Sequence, residues 1–400
     1  MSSPIHSRTN LYWFVGTVGL GIIAVALIFL RRDWVLNTEG TDAEAGWIVE
    51  TEEPEEELPK SFDGASEALK QTVVLPTLDT PFEQNQSAIW CSSFQIAWNK
   101  FKSEITKGPV RIQNAEAIAE RLNQAEQPDS DLLPESFYAA AGRVSDGIIE
   151  KIKEEMTKRF PNARTPDFNV TADAAVAYAY LQAGVKYQYP FFKNTDRFVF
   201  TDSSGRKTAV KSFGIREQDK FKGAFVDDSF RGQVLILGKW RKGEQFAVDL
   251  SKRSTPIQIV LACIERRPTL TDTLKSLEAA IGAASTDKTF HRGLEDEDTL
   301  LVPMMHWGIE HHFRDLEGPD KVLLTSSGRN LYLAKAFQLL EFKMDEKGAE
   351  ITSEAKEEAL DGGPAHFHFD RPYLIYMKKR GAKHPFFVMW VDNAELLSKP

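Results

Sequence analysis

Leu331–Glu350 reads LYLAKAFQLLEFKMDEKGAE, and Phe369–Asn393 reads FDRPYLIYMKKRGAKHPFFVMWVDN. Between them, residues 351–368 (ITSEAKEEALDGGPAHFH) carry almost no apolar bulk. Loops longer than about 12–15 residues inside a compact domain are usually functional or disordered. Two strand-like anchors joined by a long polar tether therefore decide how the rest of the chain is read.

Position by position, these stretches resemble the serpin family. Leu331-Tyr332-Leu333-Ala334-Lys335 is similar to the family's L-Y-V-S-K helix start, and Asp345-Glu346-Lys347-Gly348-Ala349-Glu350 to its N-E-E-G-T-E hinge. Phe369-Asp370-Arg371-Pro372-Tyr373 is similar to F-N-R-P-F, and Phe386–Asn393 to the closing L-F-M-G-R-V-x-N strand. Upstream, Trp307-Gly308-Ile309-Glu310 with Phe313 and Leu316 is similar to F-K-I-E-x-x-Y-D-L, one residue longer, and residues 172–212 to the central strand and the hairpin after it. The resemblance covers residues 172–397 and is densest near the C-terminus. It implies an α+β fold with antiparallel or mixed sheets, a helical N-terminal part and an exposed reactive-centre loop. The short interval before residue 172 suggests that some family helices are missing. Three departures fall where the family gates strand insertion: Tyr187 lies near a Trp position, Gln338 replaces a His, and Cys91-Ser92-Ser93-Phe94-Gln95 lacks a Pro.

The resemblance implies a mechanism, and the loop can be weighed against it. A protease cuts the loop, and the freed hinge side inserts as a new strand in the main sheet, which requires a place beside the strand leading to Gly348. An inserted strand buries every second side chain. Counted from Gly348, that set is Ala349, Ile351, Ser353, Ala355, Glu357 and Ala359. Five of the six suit burial; Glu357 does not, because an unpaired buried carboxylate is costly. The resemblance implies that Glu346, Gly348, Ala349, Glu350, Ile351, Ser353 and Ala355 form the hinge; it places the reactive bond after Gly362 counting from the hinge and after Asp361 counting back from Phe369, and Asp361–Gly362 is preferred. Gly362-Gly363-Pro364 also reads as a flexible turn. Ser353–Leu360 is a good helix former, and a helical loop fits a non-inhibitory interaction or scaffold protein. Both readings stay open: a suicide inhibitor of a serine or cysteine endopeptidase, or a tethered scaffold. Neither is an enzyme.

Composition bounds the alternatives. A net charge of −9 over 400 residues argues against nucleic acid, which needs a basic face. Cys91 and Cys263 each sit in an apolar run and read as buried thiols rather than nucleophiles. His306, Glu310 and His312 share one face of a strand; they read as surface residues, with a metal site as the rarer alternative. His366 and His368 read as solvated loop residues. No nucleotide, hydrolase or zinc-protease motif occurs, so no cofactor, metal or small-molecule ligand is expected. The expected partners are a target protease and a membrane.

The membrane expectation rests on Leu11–Leu30 (LYWFVGTVGLGIIAVALIFL), twenty uncharged residues between Arg8 and Arg31-Arg32. At 1.5 Å per residue this spans a hydrocarbon layer of about 30 Å. Residues 1–36 are read as a single-pass anchor, 37–82 as an acidic flexible linker, and 83–400 as the serpin-like domain, placed outside the cytoplasm. Within that domain, helices are expected over Ile89–Ile105, Asn114–Gln124, Glu135–Phe160 and Leu270–Ala284. Strands are expected over Tyr187–Phe192, Arg197–Thr201, Thr208–Phe213, Gln233–Leu237, Gln245–Leu250 and Ile257–Glu265.

Overall fold

A computed structural model describes residues 58–347 and 365–400, except 126, 165, 217–218, 220–230, 241–243, 287–289, 296 and 325–330. The anchor stretch Leu11–Leu30 lies outside these residues. Among the described residues, no helix is long and apolar enough to cross a membrane.

Three mixed sheets carry the architecture, and the α+β class expected from the sequence holds. The first sheet has five strands: β1 (Phe62–Ala65), β4 (Phe137–Arg143), β5 (Ala174–Gly184), β12 (Met305–His312) and β13 (Tyr332–Met344), in the order β1-β12-β13-β5-β4. The second has seven: β2 (Thr72–Val74), β3 (Ser87–Cys91), β8 (Leu235–Trp240), β9 (Gln245–Asp249), β10 (Ile257–Cys263), β15 (Tyr373–Lys379) and β16 (Phe387–Val391), in the order β2-β3-β16-β15-β10-β9-β8. The third joins β6 (Phe192–Thr201), β7 (Lys207–Ile215), β11 (Thr299–Pro303) and β14 (His366–His368), in the order β14-β11-β7-β6. The helices are α1 (Ser92–Lys100), α2 (Glu116–Gln124), α3 (Ile148–Arg159) and α4 (Leu270–Ser285).

Strand β5 shows how sequence sets this core. Its ten residues from Ala174 to Ala183, all but Gln182 buried, carry a near-continuous apolar run, as a strand covered on both faces must. Ala175, Ala177, Ala179, Leu181 and Ala183 point into the main core with Phe94 and Trp98 of α1. Val176, Tyr178 and Tyr180 point the other way, into a second core closed by Ile149, Ile152 and Met156 of α3.

The structure corrects several local expectations. The helix expected from Ile89 begins at Ser92, because Ser87–Cys91 is a fully buried strand between β2 and β16; burial of Ile89 and Trp90 in a sheet overrides the helical spacing. Glu135–Phe160 splits into β4 and α3. A Cβ on Gly142 would meet the Ile148 side chain at 2.8 Å, and Gly147 has φ +78, so the two glycines break the run. Leu331–Lys335 is not a helix start but leads into β13. His366 and His368 lie in a strand, with Thr299 Oγ1 within 2.8 and 2.9 Å of their rings.

The largest correction concerns residues 58–82, read from sequence as part of the flexible linker. They form a strap across two sheets: β1 runs parallel to β12, and β2 parallel to β3. Ser61 N donates to His306 O at 2.6 Å, and Lys60 Nζ reaches Glu341 at 3.5 Å. Ser66 Oγ lies 2.8 Å from His311 Nδ1. Glu395 accepts from Lys70 N, Gln71 N and Thr72 Oγ1 at 2.7–3.0 Å. Strands this short escape a compositional reading, and the partner of β1 lies more than 200 residues away in sequence.

Two predictions follow from this strap. A body starting at Glu67 should unfold at lower urea than one starting at Leu58, because the first loses the β1–β12 ladder; equal midpoints would return residues 58–66 to the linker. Burial, the largest cause, pushes the His311 imidazole down to about 4 from its ordinary value of 6.5. The unfolded chain therefore takes up a proton in that window and the folded one does not, so stability should fall as pH drops from about 6.5 towards 4. A His311→Asn variant should flatten this slope in pH-dependent urea unfolding.

Candidate functional site: the seam between two parallel strands and the loop that leaves it

β5 and β13 are neighbours and run parallel, paired from Tyr332↔Ala174 to Lys343↔Gly184 with one bulge between Leu333 and Lys335. On its other side β13 pairs antiparallel with β12, from Met305↔Met344 to His312↔Phe337. The strand leading to the hinge thus has both neighbours. The expected vacant place beside it is not there, and insertion would require parting the β5–β13 ladder.

The seam is fastened on its outer face. Tyr178 of β5 and Phe337 of β13 have ring centroids 5.1 Å apart, and Phe168 packs on both at 6.1 and 5.5 Å. Tyr180 Oη donates across the seam to Glu341 Oε2 at 3.1 Å. Aromatic pairs add about 0.5–1.5 kcal/mol beyond their burial.

Its inner face is less complete. Gln338 is fully buried, and neither amide atom has a hydrogen-bond partner among the described residues; the same holds for Ser92 Oγ at the start of α1. Gln338 alternates with Phe337 and Leu339, so it shares the core-facing side of β13 with Ala336, Leu340 and Phe342. Each unsatisfied buried polar group costs about 1–3 kcal/mol. The core-facing side of the seam therefore carries unsatisfied polar atoms at residue 338.

At the hinge end, Glu346 is anchored. Its carboxylate is 10% exposed and lies 3.2 Å from Lys193 Nζ, while its carbonyl accepts from Phe191 N at 2.8 Å. Asp345 pairs with Lys343 at 3.4 Å and caps Lys347 N at 3.0 Å. Of the expected hinge residues only Glu346 is described. Gly348, Ala349, Glu350, Ile351, Ser353, Ala355 and the reactive bond Asp361–Gly362 lie outside the described residues. The chain returns at Ala365, whose N–H donates to Asp298 Oδ1 at 2.7 Å. It then enters β14 of the third sheet, parallel to β11. The polar tether thus joins two different sheets.

The other candidates resolve structurally. His312 is not a surface residue. Its ring nitrogens lie 3.1 Å from Glu310 and 2.7 Å from Glu317, and it stacks on Phe337 at 4.8 Å. His306 bonds the Leu58 carbonyl. Among the described residues, no group of three or more His, Cys, Asp or Glu could hold a metal ion. Cys91 and Cys263 are buried free thiols, and burial pushes them up to about 11 and about 12, so both stay protonated. Sequence reasoning missed Lys193, Phe168 and the outer aromatic cluster. The Tyr178 and Tyr180 alternation was visible, but their partners on β13 were not.

No family model and no curated protein matches this chain. Solved structures similar to it include protease nexin-1 with heparin, at 12% identity and TM-score 0.39, covering 62% of this chain and 65% of that one. Serpin48 of the insect Tenebrio molitor, described as a highly specific serpin, is 12% identical with TM-score 0.43, over 77% of this chain and 92% of that one. Mouse protein-Z dependent protease inhibitor is 14% identical with TM-score 0.39, over 62% and 63%. The chain thus spans slightly less than two thirds of the first and third.

Three substitutions test the site. Replacing Gln338 with Met removes both orphan atoms at similar volume and should raise stability by about 1–3 kcal/mol in urea unfolding; a loss would mean the amide is satisfied. Reversing Lys193 to Glu should lower the unfolding midpoint by putting a second carboxylate beside Glu346. Adding Glu346→Lys should restore most of the loss, and no rescue would leave the pair without a role at the hinge.

Proposed function

We propose that this chain is a serpin-like suicide inhibitor of a serine or cysteine endopeptidase, with Asp361–Gly362 as the reactive bond of a cleavable loop. Support comes from the hinge and return motifs in the sequence and, above all, from the parallel β5–β13 pair. A chain leaving Met344 and folding back runs antiparallel to both strands. It can therefore replace one parallel ladder with two antiparallel ones, which are slightly more stable per residue. A gain of roughly ten backbone hydrogen bonds, each worth about 1 kcal/mol net, is large against a domain stability of about 5–15 kcal/mol. On the sequence of Leu11–Leu30, the body is held at a membrane on its outer side.

The closed, fastened seam favours a second reading, a non-inhibitory scaffold in which the loop only binds a partner. Thermal unfolding before and after nicking within 348–364 separates the two. The inhibitor gains many degrees on cleavage and forms a detergent-resistant complex with its target; an unchanged midpoint leaves the scaffold.

A further inference from the structure

The strap borders an open cavity of about 410 Å³ that the bait-loop reading does not use. It is lined on one side by Leu69, Val73, Pro76, Ile118 and Phe313, and on the other by Ser66, Glu67, His311 and Arg314. A second cavity of about 450 Å³ shares Pro76, Ile118 and Asp315 with it, at the start of α2. Volumes of roughly 300–1,000 Å³, mostly apolar walls and a few convergent polar groups are the marks of small-molecule sites.

The polar side has a defined hydrogen-bond direction. Arg314 Nε lies 3.2 Å from Glu67 Oε1. Burial works against the Glu67 carboxylate, but its own backbone amide and Arg314 outweigh that and keep it ionised. An ionised Glu67 must accept, so the single Ser66 proton goes to Glu67 Oε2, 3.2 Å away. Ser66 Oγ is then the acceptor for His311 Nδ1–H at 2.8 Å. The neutral imidazole is left with its lone pair on Nε2, for which no hydrogen-bond partner occurs among the described residues. Burial disfavours the imidazolium, so Nε2 stays an acceptor near neutral pH. The guanidinium is already shared between Glu67 and Glu317, at 3.2 and 3.0 Å, and Asp315 adds negative charge to the rim. This arrangement disfavours anions.

We propose that this cavity binds a small, neutral aromatic molecule carrying one O–H or N–H donor. The donor bonds His311 Nε2, and the ring packs between Ile118, Val73 and Phe313. The relay Glu67–Ser66–His311 positions the acceptor and takes part in no covalent step.

Isothermal titration of the full chain near pH 7 with 2-naphthol and with 2-methoxynaphthalene tests this. 2-Naphthol should bind about tenfold more tightly, because the ether cannot donate to Nε2 and forfeits that hydrogen bond. His311→Phe should erase that preference, and Ile118→Trp, which fills the cavity from a half-exposed position, should abolish binding of both. On adding 2-naphthol, the ¹⁵N signal of His311 Nε2 in the wild-type chain should shift, a readout that needs no variant to fold. Equal affinity for the two probes, a preference that survives His311→Phe, binding unaffected by Ile118→Trp, or no binding of 2-naphthol would each overturn the proposal.

Discussion

The parallel ladder between β5 and β13 organises this molecule. These two strands form the middle of the five-stranded sheet, with the main core on one face and the α3 core on the other. A parallel pair needs a long connection, and here more than 140 residues, including three of the seven strands of the second sheet and three of the four of the third, lie between its strands. Holding β13 in register therefore also fixes where the chain leaves the sheet and where the polar tether begins.

The seam combines strong and weak features in one place. Outside, Tyr178, Phe337, Phe168 and the Tyr180–Glu341 hydrogen bond tie it shut. Inside, the Gln338 amide and Ser92 Oγ are buried without hydrogen-bond partners among the described residues. Natural proteins satisfy most buried polar groups, and exceptions need a reason; under the proposed function a seam that opens supplies one, because its polar atoms then find partners in the second state. At the hinge, Lys193 and Phe191 hold Glu346 from the neighbouring sheet, so the point where a returning strand would turn is clamped before any rearrangement.

Much of the scaffold was legible in sequence. The long tether between two strand-like anchors marked both ends of the loop, and Ser203-Ser204-Gly205 marked the β6–β7 hairpin, where Gly205 has φ +84. What stayed hidden was set by distant partners. Phe137–Arg143 looks helical because Ala favours helices, yet it lies as a strand against β5. Residues 58–82 look like a solvated spacer by composition, but their backbone pairs with β12 and β3. The closed state of the seam was invisible too, since hydrophobic alternation says that a strand is buried and not which strand lies beside it.

Locking the seam chemically addresses the proposed opening most directly. Ala177 and Ala336 are register partners and fully buried, and neighbouring strands bring Cα atoms within the range of about 4.4–6.8 Å that a disulfide needs. An Ala177→Cys, Ala336→Cys variant can be nicked in the loop while oxidised or reduced, and its thermal midpoint compared with that of the uncut chain. If the hinge segment enters between β5 and β13, the reduced protein gains stability on nicking and the oxidised protein gains none. The same change in both forms would mean that the loop does not enter this seam.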